Sequence, residues 1–361
     1  MSRLLKAFFY RMSKDLAFRI TLIVGCSIAL ILSVILLVAD LMMDMEGIKL
    51  LTGHGMLTMS LNPAQNYGIA IPINVAVFVV LEFTQGTIRN KIIAGHSKFK
   101  IYASLYISGL ILGAALLFAY VGFLTIFGTI FGGFDVNVVT ILGTGFGAAT
   151  VEYIVKFVIL ALLAYTTLIS YSIFIATVFR SLGPSIPLVL AAVYGLYFIA
   201  MIVSVIVSVN KEFMDGYEAA LAVAELSGDA DAIAEAAKEV ADFKPTNDTV
   251  QAIGNVFKCL NPLYGLSVTD SVIVGEGEDV KAIAKMDDFT FYSGIASNLA
   301  YSAAFFSEVL AYLRKEMLNN IGKKFFLAKI VGLNVLYMRG EQKASSLSAL
   351  QRLTFVIYAD G

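Results

Sequence analysis

Residues 82 to 100, EFTQGTIRNKIIAGHSKFK, gather chemistry-bearing side chains between two long apolar runs. One carboxylate, Glu82, precedes four bases, Arg89, Lys91, Lys98 and Lys100, with Gly86 and Gly95 bracketing the middle. Gly86 permits a sharp turn, and Thr87 or Asn90 is placed to cap a short helix after it. Ile88, Ile92 and Ile93 then offer an apolar contact, while the bases are expected to stay in water. A small basic element of this kind suits three ligands: nucleic acid, an anionic lipid surface or a groove on a protein partner. The side of the membrane on which it lies selects among them.

Other reactive constellations are sparse. A chain that hydrolyses ATP itself carries G-x-x-x-x-G-K-[ST]. The nearest string here, GEGED at 275–279, has no lysine in place. His54 and His96 fall on opposite sides of the expected membrane, so they do not build a metal site together. No G-x-S-x-G elbow occurs. Cys26 sits in an apolar run and Cys259 in a polar segment, so no disulfide is expected between them. Among acids near the membrane edge, Glu82 and Glu152 stand out. Asn74 and Thr166 are expected to be satisfied against neighbouring helices. The chain therefore reads as no enzyme, with no catalytic residue, metal site or cofactor of its own.

The elements that position these residues are transmembrane helices. The 361 residues are 58% hydrophobic and 15% charged, with a mean hydropathy of +0.82, against about 25% charged residues in soluble domains. Apolar runs of about 20 residues match a hydrocarbon core of about 30 Å. Six spans are expected: Ile20 to Ala39; Tyr67 to Leu81 within the uncharged stretch from Leu50, with Pro63 and Pro72 starting or kinking it; Ile101 to Phe127; Phe157 to Phe179; Ile186 to Val209, after a Gly183-Pro184 turn; and a weaker Phe289 to Ser307, diluted by Ser, Asn and Gly. Gly109, Gly113 and Gly122 give the third span flat faces for close contact. No charges suited to a proton relay lie within the spans.

Charge assigns the sides. Residues 1–19 hold five bases and one acid, residues 82–100 four and one, and residues 308–361 eight and four. The alternate segments are acidic: 40–49 has three acids and one lysine, and 211–288 has sixteen acids and six lysines. Basic short loops favour the cytoplasm, which places both termini and the 82–100 loop inside. Nucleic acid is not expected as a partner. Residues 1–19 form a cytoplasmic amphipathic helix, with Leu4, Leu5, Phe8, Phe9, Met12 and Leu16 on one arc and Arg3, Lys6, Arg11 and Lys14 around it, facing the membrane lipids. The 211–288 insertion, with its Ala/Glu-rich run broken at Ser227-Gly228-Asp229, predicts two short amphipathic helices capping the outside; Asn247-Asp248-Thr249 within it fits a glycosylation sequon. Residues 308–361 read as a cytoplasmic or interfacial tail.

The string Glu82, Gly86 to Lys91, Gly95, Ser97-Lys98 and Ile101-Tyr102 resembles the segment between the second and third spans of ABC-2 type permeases, the membrane subunits of ATP-binding cassette exporters. The N-terminal helix, the six spans and the Asn261-Pro262-Leu263 return before the last span extend the likeness over about residues 1–307. Lys98 departs from the commoner arginine, and the tail is longer than usual. The resemblance implies an all-α integral membrane fold in a bacterial cell membrane. It implies a second permease copy or a paralogous permease, and a separate cytoplasmic ATPase that binds ATP and Mg. Export of a peptide, lipid or other amphipathic substrate would follow. Glu82, Gly86, Thr87, Ile88, Arg89, Asn90, Lys91, Gly95 and Lys98 would then form a coupling helix, with Glu82 pairing with a base such as Arg89 or one on the partner. Two other classes stay open: a non-transporting scaffold or signalling partner using the same loop, and, less favoured, a secondary transporter.

Overall fold

The computed structural model describes residues 2–43, 48–63, 69–134, 139–140, 148–227, 229–267, 270–274 and 281–312. The chain divides into one unit, Met1–Val309, and a second, Leu310–Gly361; all that follows concerns the first. Residues 275–279 and the tail beyond 312 lie outside the described residues.

Helix α1 spans Ser2–Lys14 and α2 Leu16–Met43. A two-residue strand β1, Ile48–Lys49, leads to α3, Gly53–Leu61, and α4, Ala70–Thr84. The short α5, Thr87–Ile93, precedes α6, Lys98–Gly132. Strands β2, Val139–Thr140, and β3, Ala148–Ala149, come before α7, Val151–Phe179. Then follow α8, Leu182–Ser227, α9, Ala230–Leu260, and the single turn α10, Tyr264–Ser267. Strands β4, Asp270–Val274, and β5, Lys281–Lys285, close before a last helix, α11, over 288–312. The architecture is an α-helical bundle with small β additions: β1 pairs parallel with β2, while β5 lies between β3, parallel to it, and β4, antiparallel to it.

This is a multi-pass membrane protein. Among the described residues, four helices are long and apolar enough to cross a bilayer: Leu16–Met42, Phe99–Gly132, Val151–Phe179 and Leu182–Leu226. A fifth is added if α4 is counted with α5, from which a bend of 55° separates it. The expected second span, Tyr67 to Leu81, corresponds to α4, shifted by three residues. At 1.5 Å per residue, the 15 residues of α4 reach only about 22 Å. The preceding apolar stretch is not loop but α3, most of it buried. Thr52 caps it by accepting from the Gly55 N–H, and it lies against the far end of α6. That contact requires glycine: a Cβ at Gly132 would sit 1.5 Å from the Leu51 carbonyl oxygen, and one at Gly128 2.9 Å from that of Thr52. Leu51, Met56, Ala29, Tyr120 and Leu124 make a core between α2, α3 and α6.

Of the three glycines expected to flatten the third span, two face α7. A Cβ would come within 3.0 Å of Ile173 at Gly109 and 2.4 Å of Ile169 at Gly113; nothing lies within 4 Å at Gly122. The turn between α7 and α8 sits at Arg180, whose φ of 54° is left-handed, rather than at Gly183-Pro184. Those two residues already belong to the first turn of α8, where proline needs no N–H partner. Asn74 donates to Thr21 and Thr166 to the Leu162 carbonyl, as expected of satisfied polar groups.

The 211–288 insertion departs most from expectation. The helix of the fifth span does not stop at Val209 but continues unbroken to Ser227. The break then comes where Ser227-Gly228-Asp229 stands, with Asp229 capping α9 through the Asp231 N–H. Two long helices therefore replace the two short ones. They run antiparallel: Phe243 meets Phe213 and Tyr217, and a Cβ at Gly254 would lie 2.8 Å from Val207. Their facing residues alternate in steps of three and four: Val207, Asn210, Met214, Tyr217, Leu221 and Ala224 on α8; Ile233, Ala236, Val240, Phe243, Asn247, Val250 and Gly254 on α9. That is the heptad spacing of a coiled-coil seam. Asn247, the residue of the sequon, is turned into this seam, and its Oδ1 and that of Asn210 are buried without a hydrogen-bond partner.

From Leu260 the chain returns into the bundle, and residues 261–266 are all buried. Three amides hold this return. Asn261 donates to the Leu196 carbonyl, Asn298 of α11 to that of Pro262, and Asn62 to that of Leu266. Asn298 also accepts from Thr167 of α7. Asp287 caps α11 through the Phe289 N–H and the Thr290 hydroxyl, and pairs with Lys258. Partial burial pulls the Asp287 carboxyl upward, but the hydrogen bonds from Thr290, Phe289 and Lys258 outweigh it and hold its pKa below the ordinary value.

Candidate functional site

Glu82 ends α4 one turn before the bend, and its side chain is 1% exposed. A carboxylate that deep must be matched by opposite charge and hydrogen bonds. Two bases supply the match. Arg11 of α1 pairs with one carboxylate oxygen, and Lys91 of α5 reaches the other at 2.7 Å. The Thr87 hydroxyl donates to the same oxygen as Lys91 and stands 2.8 Å from the Glu82 carbonyl. Arg11 extends its other amino group to the Gln85 side chain, 2.7 Å away. One acid thus joins three helices.

Local sequence explains the arrangement. Gly86 takes φ 67°, which non-glycine residues avoid, and turns the chain by the bend that brings Thr87 and Lys91 back over the end of α4. It occupies the cap position of α5 itself, so the Thr87 hydroxyl is used on Glu82 and not on the α5 backbone. Gly95, φ 82°, ends α5, and Ser97 caps α6. Aromatic rings close the site. Phe8 of α1 is buried against Phe78 of α4 at 6.1 Å between centroids, and the Lys91 ammonium lies 3.5 Å from the centre of the Phe8 ring. Arg180, at the turn into α8, stands over Phe83 at 5.2 Å. An ammonium over an aromatic face gains about 0.5–1 kcal/mol at exposed sites and more when desolvated.

The nine residues singled out by sequence divide by orientation. Glu82 is buried, and Thr87 and Lys91 turn toward it; Ile88 is half-buried. Arg89 and Asn90 face outward, joined by the exposed Ile92 and Ile93. Gly86 and Gly95 set the two turns, and Lys98 opens α6, its side chain lying outside the described residues. Two expectations change. Lys91 is not a wet base, and Glu82 pairs with Arg11 of α1 and with Lys91, where a base such as Arg89 or one on a partner was expected. Sequence reasoning missed Arg11 because it lies 71 residues away and its place on the helical wheel gave it to the lipid headgroups. The available signal was the single acid at the end of an apolar run, with two basic segments that the charge rule assigns to the same side.

At the opposite end of the bundle, Glu152 pairs with Lys156, which also holds Asp288 at 2.6 Å. Among the described residues no cluster of His, Cys, Asp or Glu is arranged to hold a metal ion. The chain matches no protein-family model, no curated protein and no solved structure.

Proposed function

We propose that the chain is the membrane-spanning permease subunit of an ABC exporter. It has six spans, α11 supplying the last, with both termini and α5 in the cytoplasm. A separate ATPase subunit, which binds ATP and Mg, receives α5 in a groove, and a second copy or a paralogous permease completes the pathway. The cargo class is a peptide, lipid or other amphipathic molecule. The chain itself is no enzyme in this reading. Helix α1 lies along the inner leaflet, with Phe9 and Tyr10 exposed to lipid and Phe8 turned into the protein.

The observation that carries the reading is the division of α5. Its inner side, Thr87 and Lys91, is tied through Glu82 to α4 and α1, while its outer side offers Arg89, Asn90, Ile92 and Ile93. A push on the outer side is therefore delivered to a span and to the interfacial helix together. That is what coupling an external motor to a membrane path requires.

Affinity capture of the gently solubilised chain from its native membranes tests this. Arg89→Glu/Ile93→Glu alters the exposed side and leaves the Glu82 cluster untouched. Recovery of a nucleotide-hydrolysing partner with the wild type, lost in the variant, supports the permease. Recovery of a different soluble protein, lost in the same variant, replaces it with a scaffold or signalling role.

A further inference from the structure

The α8–α9 hairpin carries a second stripe beside its buried seam. On α8, Ile206, Val209, Phe213, Gly216, Ala220 and Val223 repeat in steps of three and four, each one residue before a seam position, and all are exposed. The matching stripe on α9, also one residue before its seam, runs from Glu235, Glu239 and Asp242 through Thr246 and Thr249 to Ile253, again exposed. Antiparallel helices related by a two-fold axis across their seam present equivalent offsets on the same side. These two stripes therefore line one groove. It is apolar along α8, and on the α9 side acidic toward the hairpin tip and apolar toward the bundle.

The groove extends beyond the polar boundary of the bundle. Lys258–Asp287, Lys156–Asp288 and the exposed carboxylate of Glu152 mark the bundle's polar boundary on the side away from α5. With Gly254 opposite Val207, Lys258 stands level with about residue 203 of α8. Phe213 is ten residues further out, about 15 Å, and Val223 about 30 Å. Phe213 and Val223 are 58% and 66% exposed. Large apolar side chains in water, aligned at heptad spacing, mark a docking surface for a helix. Charge selects its chemistry. Residues 211–260 contain ten acids and four lysines, and the three charged residues on the groove are all acids. A second copy of the same hairpin would bring like charge to like charge.

We propose that this groove binds a cationic amphipathic helix outside the membrane, its apolar face along Ile206–Val223 and its bases against Glu235, Glu239 and Asp242. The site rests on the hairpin alone and does not require the ATPase of the preceding section.

The test uses the full chain in phosphatidylcholine nanodiscs and a fluorescein-labelled 21-residue peptide, with leucine at heptad positions a and d and lysine elsewhere. A counterpart with glutamate for lysine is the control. The lysine peptide binds, and Glu235→Gln/Glu239→Gln/Asp242→Asn weakens it tenfold or more. Asp215→Asn/Glu218→Gln/Glu225→Gln removes the same charge from the hairpin's other side and changes affinity less than threefold. Phe213→Ser/Val223→Ser weakens binding at unchanged charge. As a second readout, with Cys26 and Cys259 replaced by serine, the peptide slows maleimide modification of Val223→Cys and not of Glu225→Cys. Equal losses in the two charge triples, equal binding of the glutamate peptide, or no binding by the wild type would overturn the proposal. So would a change of oligomeric state in the groove variants, which would give the groove to a second copy.

Discussion

Removing Glu82 should damage the protein more than removing Glu82 together with both of its bases. The side chain is fully buried, while those of Arg11 and Lys91 are 23% and 16% exposed, so the cluster is screened far less than a surface pair. Glu82→Ala leaves two cations facing each other beside the Phe8 and Phe78 rings with no anion between them. Breaking a buried ion pair from one side costs about 3–5 kcal/mol. The Thr87 hydroxyl loses its acceptor as well, for about 1 kcal/mol more. Glu82→Gln keeps that acceptor and should cost less, about 1–3 kcal/mol. In Arg11→Met/Glu82→Gln/Lys91→Met no charge remains to be compensated, and replacing buried ionic groups by packed neutral ones is commonly neutral or stabilising. The triple variant should therefore be more stable than Glu82→Ala. The sequence contains no tryptophan, so heating followed by fluorescence-detected size exclusion of a tagged protein is the practical assay. An unchanged melting point for Glu82→Ala, or a triple variant less stable than it, would refute the cluster as drawn. On the proposed permease reading, the triple variant should also lose coupling while keeping its fold, because α1 and α5 no longer share an anchor.

Gly86→Ala meets no side chain, yet should cost about 1–2 kcal/mol because its φ is left-handed; Gly86→Asn should be milder, measured by the same melting assay. Gly132→Ala collides with the Leu51 carbonyl and should destabilise by about 3 kcal/mol, whereas Gly122→Ala, with open space around it, should be neutral or gain up to about 1 kcal/mol. Because the Asp287 carboxyl is held below its ordinary pKa, its contribution to stability is fully present above the ordinary carboxylate value of about 4 and is lost as pH falls through the depressed one; Asp287→Asn should flatten the acid limb of a stability–pH profile, and an unaltered limb would remove the residue from that role. Asn298→Ala frees the Pro262 carbonyl and one bond to Thr167, and should cost about 1–3 kcal/mol per buried group left unpaired, read as faster proteolysis of the 261–267 return.

The long uncharged runs made α2, α6, α7 and the inner part of α8 legible, because a bilayer-length apolar stretch has few other uses. The turn glycines of the 82–100 loop were legible for the same reason that glycine is needed there: φ. Partners were harder. Nothing local to Glu82 names Arg11, since their meeting depends on how α1 lies across α4. The second span was placed from Tyr67 because Pro63 marks a start, and α4 begins at Ala70; that the preceding apolar stretch folds as a separate buried helix, α3, was not legible, because hydropathy does not distinguish a short buried helix from part of a span. The hairpin was read as two short helices because the composition changes at Lys211. Yet the three-and-four spacing of Val207, Asn210, Met214 and Tyr217 runs straight through that change. Following spacing in place of composition would have extended α8. Strands of two to five residues leave too little periodicity to be seen.

Helix α8 is a single rod of 46 residues, about 69 Å long. One end abuts the turn at Arg180 beside Phe83, next to the bend that carries α5; the other ends at the hairpin tip. A rocking of about 10° at the inner end would sweep the tip through about 12 Å, with α9 carried along by the seam. A molecule settling on the outer part would work against that same sweep. On the proposed permease reading, a load at the tip and a stroke at the Arg180 end would share a single mechanical axis, and force applied to one would be felt at the other without any relay of rearranged side chains between them.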